Sequence, residues 1–146
     1  MMESFLTECL SIFNLVTAPP KRASETRTRV LEFLENPVDL TTFADYTVVI
    51  SNPISFFEIR AKLQINSPNA YESPVLFAIE FRRVICNFMR YNWVKDMAPY
   101  RNDLRKLLLQ FEDELEKHFP GLCTVSSCLT AGYFLFSKLM TFHSWL

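Results

Sequence analysis

Glycine is nearly missing from this chain, with two residues in 146. That scarcity excludes the glycine-rich loops whose backbone N–H groups cradle a nucleotide phosphate. An excess of one charge is missing too. Fifteen Lys and Arg face sixteen Asp and Glu, so no broad basic field exists to hold DNA or RNA by phosphate neutralisation. Histidine is limited to His118 and His143, and neither pairs with an evident nucleophile. The chain reads as a non-enzyme without a cofactor. Its four cysteines, Cys9, Cys86, Cys123 and Cys128, lack the spacing of a disulfide framework. Cys9 and Cys86 fall on apolar helical faces and read as buried free thiols in a reducing compartment. Cys123 and Cys128 with the two histidines match no usual zinc pattern, so no metal site is expected. The N-terminus shows no secretory signal, which predicts an intracellular protein.

Hydrophobic residues make up 49% of the chain and include fourteen phenylalanines. At this length they suffice for one core and one domain. They recur at helical spacing, which predicts an all-α fold. Phe5, Leu6, Cys9, Leu10, Ile12, Phe13 and Val16 form the stripe of a first helix over residues 2–16. Residues 17–29, with Pro19, Pro20 and a mostly basic run, predict an exposed loop. Residues 30–34 add one more helical turn, which Asn36-Pro37 ends. Residues 37–53 carry Val38, Leu40, Phe43, Tyr46, Val48, Val49 and Ile50 without sustained periodicity. Such a long apolar loop inside a compact domain is usually functional.

Ser55 and Glu58 form a capping box that opens the second helix, which runs to about Leu63. Ser73-Pro74 opens the third, whose stripe is Phe77, Phe81, Val84, Ile85 and Phe88. A loop with Pro99 leads into a fourth helix that points Leu104, Leu107, Leu108, Phe111 and Leu115 inward. Arg105, Lys106, Glu112, Glu114 and Lys117 make its solvated outer face, and Phe119-Pro120-Gly121 ends it. The pattern predicts a four-helix bundle over residues 1–120, with a long loop between helices one and two and a cleft at one end. Residues 121–146 form an atypical apolar tail in which Lys138 is the only formal charge. Its seventeen uncharged residues 121–137 sit at the lower limit for a bilayer span. Membrane insertion is disfavoured beside packing on the bundle or a loose appendage.

The third helix closes on Tyr91-Asn92. Asn at this position either caps the helix in the left-handed region or turns an amide donor and a carbonyl acceptor into a cleft. A neutral amide ligand suits the second arrangement.

In order and spacing, several segments of residues 2–119 resemble a bromodomain, the left-handed four-helix module that reads acetylated lysine. Asn36-Pro37-Val38-Asp39 resembles the Pro-Val-Asp element of that family's long loop, and Asp45-Tyr46 through Ile50 to Pro53 resembles the segment leading to the second helix. Ile59 to Leu63, Tyr71-x-Ser73 and Asn87-x-x-x-Tyr91-Asn92 follow in the family's order. Tyr71-Glu72-Ser73-Pro74 looks like the bromodomain and WD-repeat proteins. There are departures. The aromatic-proline-phenylalanine shelf stands here as Glu32-Phe33-Leu34, Pro53-Ile54-Ser55-Phe56 replaces Pro-Met-Asp-Leu, and Pro99, with Ala98 as the alternative, stands in the gatekeeper region in place of a branched aliphatic.

The resemblance implies that Asn92 donates to the acetyl carbonyl and that Tyr46 reaches the same oxygen through a water. Leu34 on the altered shelf, with Val38, Leu40 and Phe43, would line one wall, Tyr91 the far side and Pro99 the entrance. Acetylation removes the lysine charge, so an apolar cleft with one polar anchor separates the two forms. The implied protein is a nuclear, non-catalytic, monomeric reader of acetylated histone or other acetylated peptides. The rival is a degenerate bromodomain that serves as a protein-interaction module without acetyl-lysine. Altered shelf residues favour the rival, and intact Tyr46, Tyr91 and Asn92 oppose it.

Overall fold

A computed structural model describes residues 2–92 and 98–122, and every regular element among them is a helix. The helices are α1 (Met2–Thr17), α2 (Glu25–Glu35), α3 (Tyr46–Val49), α4 (Phe56–Lys62), α5 (Pro74–Tyr91) and α6 (Ala98–His118). Their starts follow from local chemistry. Ser73 accepts from the Leu76 N–H and Pro74 occupies the first turn of α5, where its missing N–H is no loss. On α4 the Glu58 carboxylate accepts from the Ser55 N–H at 3.3 Å, the return arm of the expected box.

The segment between α1 and α4 differs from the loop expected there. It contains two helices: α2 includes the turn expected at 30–34 but begins inside the stretch read as loop at 17–29, and α3 lies within the connection 37–53. Ser24 supplies the cap, accepting from the Arg27 N–H at 3.1 Å, and Arg27, Val30 and Leu34 form the buried face. A basic residue on that face broke the apolar pattern and hid the helix. Long Arg side chains bury their stems readily when the guanidinium finds a partner. Here the Arg27 guanidinium donates to the Asp103 backbone carbonyl of α6 at 3.0 Å.

One core joins all the longer helices. Leu6, Cys9, Ile12, Phe13 and Val16 of α1 meet Val30 and Leu34 of α2, Phe56 and Ile59 of α4, the α5 stripe, and Leu104 to Leu115 of α6. Phe81 is its hub. Its ring stacks on Phe111 at 3.8 Å and on Phe56 at 5.2 Å, and it meets Phe13 and Phe77 at steeper angles. Inside this apolar mass lies Arg82, with no exposed surface, its guanidinium held by both oxygens of Glu112 at 2.7 and 2.8 Å. Glu112 is thus not part of a wholly solvated face, as the alternating charges of α6 had implied.

Cys9 and Cys86 are buried free thiols. Burial, with the Glu8 charge adding, pushes Cys9 up to about 12, and burial pushes Cys86 up to about 11. Both remain protonated and inert near neutral pH. No helix of the described residues is long and apolar enough to cross a membrane. The tail from 123 onward, with Cys123, Cys128 and His143, lies outside the described residues.

Candidate functional site

The connection from α2 to α4 lies along α5 and is fastened there. Asp39 opens it with a tight turn, accepting from the Thr41 N–H at 3.0 Å and from the Thr41 and Thr42 hydroxyls at 2.6 and 2.7 Å. These donors hold the Asp39 carboxyl down at about 2. A depressed carboxyl stabilises the fold above its unfolded value of 3.8, and the gain disappears as pH falls through the folded value. The melting temperature of Asp39→Asn should therefore lie below that of the parent chain at neutral pH, and the gap should close between about pH 4 and pH 2. A gap independent of pH would show that the turn stabilises by shape alone.

Further along, two residues one turn apart on α5 hold the same connection. Asn87 donates its side-chain amide to the Asn52 carbonyl at 2.9 Å, and the Tyr91 hydroxyl donates to the Asp45 carboxylate at 2.6 Å. Between these fastenings sits Tyr46, the first residue of α3, only 5% exposed. Its ring stands 4.9 Å from that of Tyr91, and Phe43 meets Tyr91 edge-on at 6.0 Å. Burial raises the Tyr46 hydroxyl, and the bond to Asp45 raises that of Tyr91. Both stay neutral donors through the physiological range.

Asn92 ends α5 with φ −97°, so the left-handed cap is not used. Its side-chain amide donates to the Phe88 carbonyl at 2.9 Å. One amide hydrogen is taken, which fixes the plane of the group, while an Asn amide has a second hydrogen and a carbonyl oxygen. A second aromatic group stands near the same end of α5: Phe33 of α2 stacks on Phe88 at 5.8 Å and meets Tyr100 of α6 at 6.1 Å.

A family model for the bromodomain matches residues 25–102, just over half of the chain. The match runs from the first residue of α2 into α6 and takes in every side chain just described. The chain belongs to the bromodomain family. Bromodomains are in general non-catalytic reader modules that bind acetylated peptides, and their proteins are commonly nuclear. In this bromodomain the matched region starts after α1, so the resemblance traced from residue 2 extends beyond it at both ends.

Of the residues singled out from sequence, Phe43 and Tyr46 each meet the ring of Tyr91, with Asn92 next in the chain. Val38 is half-buried and Leu40 is exposed on the connection. Leu34 lies elsewhere, 3% exposed within the core, while its neighbour Phe33 stands 52% exposed against Phe88. Pro99, expected in a loop, occupies the first turn of α6 and is exposed. Sequence reasoning did not single out Asp45, which accepts from the Tyr91 hydroxyl, or Phe33, which stacks on Phe88. The spacing Arg27, Val30, Leu34 places Leu34 on the buried stripe and Phe33 off it, a signal available once a helix is drawn there.

Proposed function

We propose that this bromodomain reads acetylated lysine, on histone tails, by closing an apolar cleft around Tyr46, Tyr91 and Phe43 with Asn92 as the polar anchor. The observation that carries the reading is the buried Tyr46, its ring against Tyr91 and its connection tied to α5 by Asp45 and Asn87. A neutral amide can enter such a place at little cost, whereas a lysine ammonium would lose its hydration without a counter-charge. Residues 30–59 support a basic peptide as partner, since they contain five acidic residues, Glu32, Glu35, Asp39, Asp45 and Glu58, of which only Glu35 forms an ion pair, with Arg60, among the described residues. Complementary charge at the rim favours encounter and orientation more than final affinity.

Two observations favour the rival reading. Leu34 is withdrawn into the core, and the Asn92 amide already donates within its own helix. The deciding experiment is an amide-shift titration of the full chain with an acetylated histone-tail peptide and its unmodified twin, repeated on Asn92→Ala. For a reader, the acetylated peptide alone shifts residues around 43–46 and 91–92, and the variant weakens binding at least about tenfold, the cost of one buried polar partner left unpaired. Shifts absent from both peptides, with the parent chain folded, establish the interaction-module reading instead.

A further inference from the structure

Lys21-Arg22-Ala23-Ser24 sets two cations three and two residues ahead of a hydroxyl. No other serine or threonine in the chain has two basic residues among its three predecessors. The run occupies non-helical backbone between α1 and α2, with Lys21, Arg22 and Ser24 all exposed. Among the described residues neither Lys21 nor Arg22 forms an ion pair. Exposed chain that offers unpaired cations beside a hydroxyl is the form in which an acidic kinase cleft takes a substrate, charge against charge.

The Ser24 hydroxyl is also part of a contact between helices. Its oxygen accepts from the Arg27 N–H at 3.1 Å and lies 3.0 Å from the Thr26 hydroxyl and 3.5 Å from the Asp103 carboxylate of α6. Thr26 donates to that same carboxylate at 2.5 Å, and Arg27 to the Asp103 carbonyl at 3.0 Å. One residue of α6 therefore holds the start of α2.

We propose that Ser24 is a phosphorylation site for a serine/threonine kinase that prefers basic residues ahead of its acceptor, and that the phosphate releases the start of α2 from α6. In the transfer, the bond from the γ-phosphorus of ATP to its bridging oxygen breaks and a bond from that phosphorus to Ser24 Oγ forms. ADP leaves with the electron pair, and the hydroxyl proton passes to the kinase's base.

Two effects act on the product. The N-terminus of α2 attracts an anion through a partial charge that is spread over its first amides. Asp103 repels it with a full charge at contact distance, and a dianion feels that charge twice over. Repulsion decides the sign, and the hydrogen bonds of Ser24 and Thr26 to Asp103 are lost. If Arg27 turns to meet the phosphate, it gives up the Asp103 carbonyl, which unties α2 in the same direction. The contact of Phe33 with Tyr100 spans these same two helices.

The test treats the full chain with the catalytic subunit of a basophilic serine/threonine kinase and magnesium ATP. Mass spectrometry should find one phosphate on Ser24, none there in Ser24→Ala, and labelling about tenfold slower in Arg22→Ala, whose cation is removed. Amide hydrogens of residues 26–34 should exchange about tenfold faster in the phosphorylated chain, and Asp103→Asn should abolish most of that acceleration. Undiminished labelling of Ser24→Ala overturns the site. Unchanged or increased protection of α2 after phosphorylation at Ser24 overturns the release, as does acceleration that persists in Asp103→Asn.

Discussion

Glu112→Ala is expected to destabilise the fold by about 3 kcal/mol, because it removes the carboxylate that faces the buried Arg82 guanidinium. Arg82 has no exposed surface, and Glu112 supplies the two short bonds that balance its charge. Breaking a buried pair by removing one partner typically costs about 3–5 kcal/mol. The lower figure applies here, since the Glu112 side chain keeps 14% of its surface exposed and water can follow it inward. Urea unfolding of the two chains reads the difference directly. A loss below about 1 kcal/mol would mean that Arg82 rearranges to solvent, as an exposed pair would allow. Replacing both partners, Arg82→Met with Glu112→Leu, should return most of the stability, because an apolar pair of similar volume has no charge to bury.

Phe81→Ala is expected to cost about 3–5 kcal/mol, at the upper end of what core truncations do. The ring is the common neighbour of Phe13, Phe56, Phe77 and Phe111, which come from four different helices. No single helix can move in to fill the space without leaving its other contacts, so the cavity stays open. Phe57→Ala provides the contrast: one residue beyond the buried Phe56 and 59% exposed, it should change stability by about 0.5 kcal/mol or less. Equal effects at the two positions would sink the account of Phe81 as the hub.

The parts of this fold that were legible in the sequence are those where local chemistry and global packing agree. Ser73-Pro74 announces α5 because the cap and the first-turn proline act within four residues, and the Phe77 to Ile85 stripe repeats at the helical period. The family's order of segments paired Tyr46 with Tyr91, and their rings stand 4.9 Å apart. What failed to show was charge that turns inward. Arg27 disguised α2 as a basic loop, and Glu112 passed for surface because its partner sits thirty residues earlier on another helix. Asp45 was invisible for the same reason, since nothing local to it marks the Tyr91 hydroxyl as its donor. Long-range polar pairing leaves no period in a sequence.

Because the bromodomain match begins at residue 25 while Phe13 of α1 lies edge-on to Phe56 and Phe81, shared pattern and closure against water have different boundaries. A fragment cut where the pattern starts would present those rings on its outside as an adhesive stripe. Residues 2–17 are thus the lid of the oil drop, and the smallest piece that stays dry is longer than the piece that is recognisable.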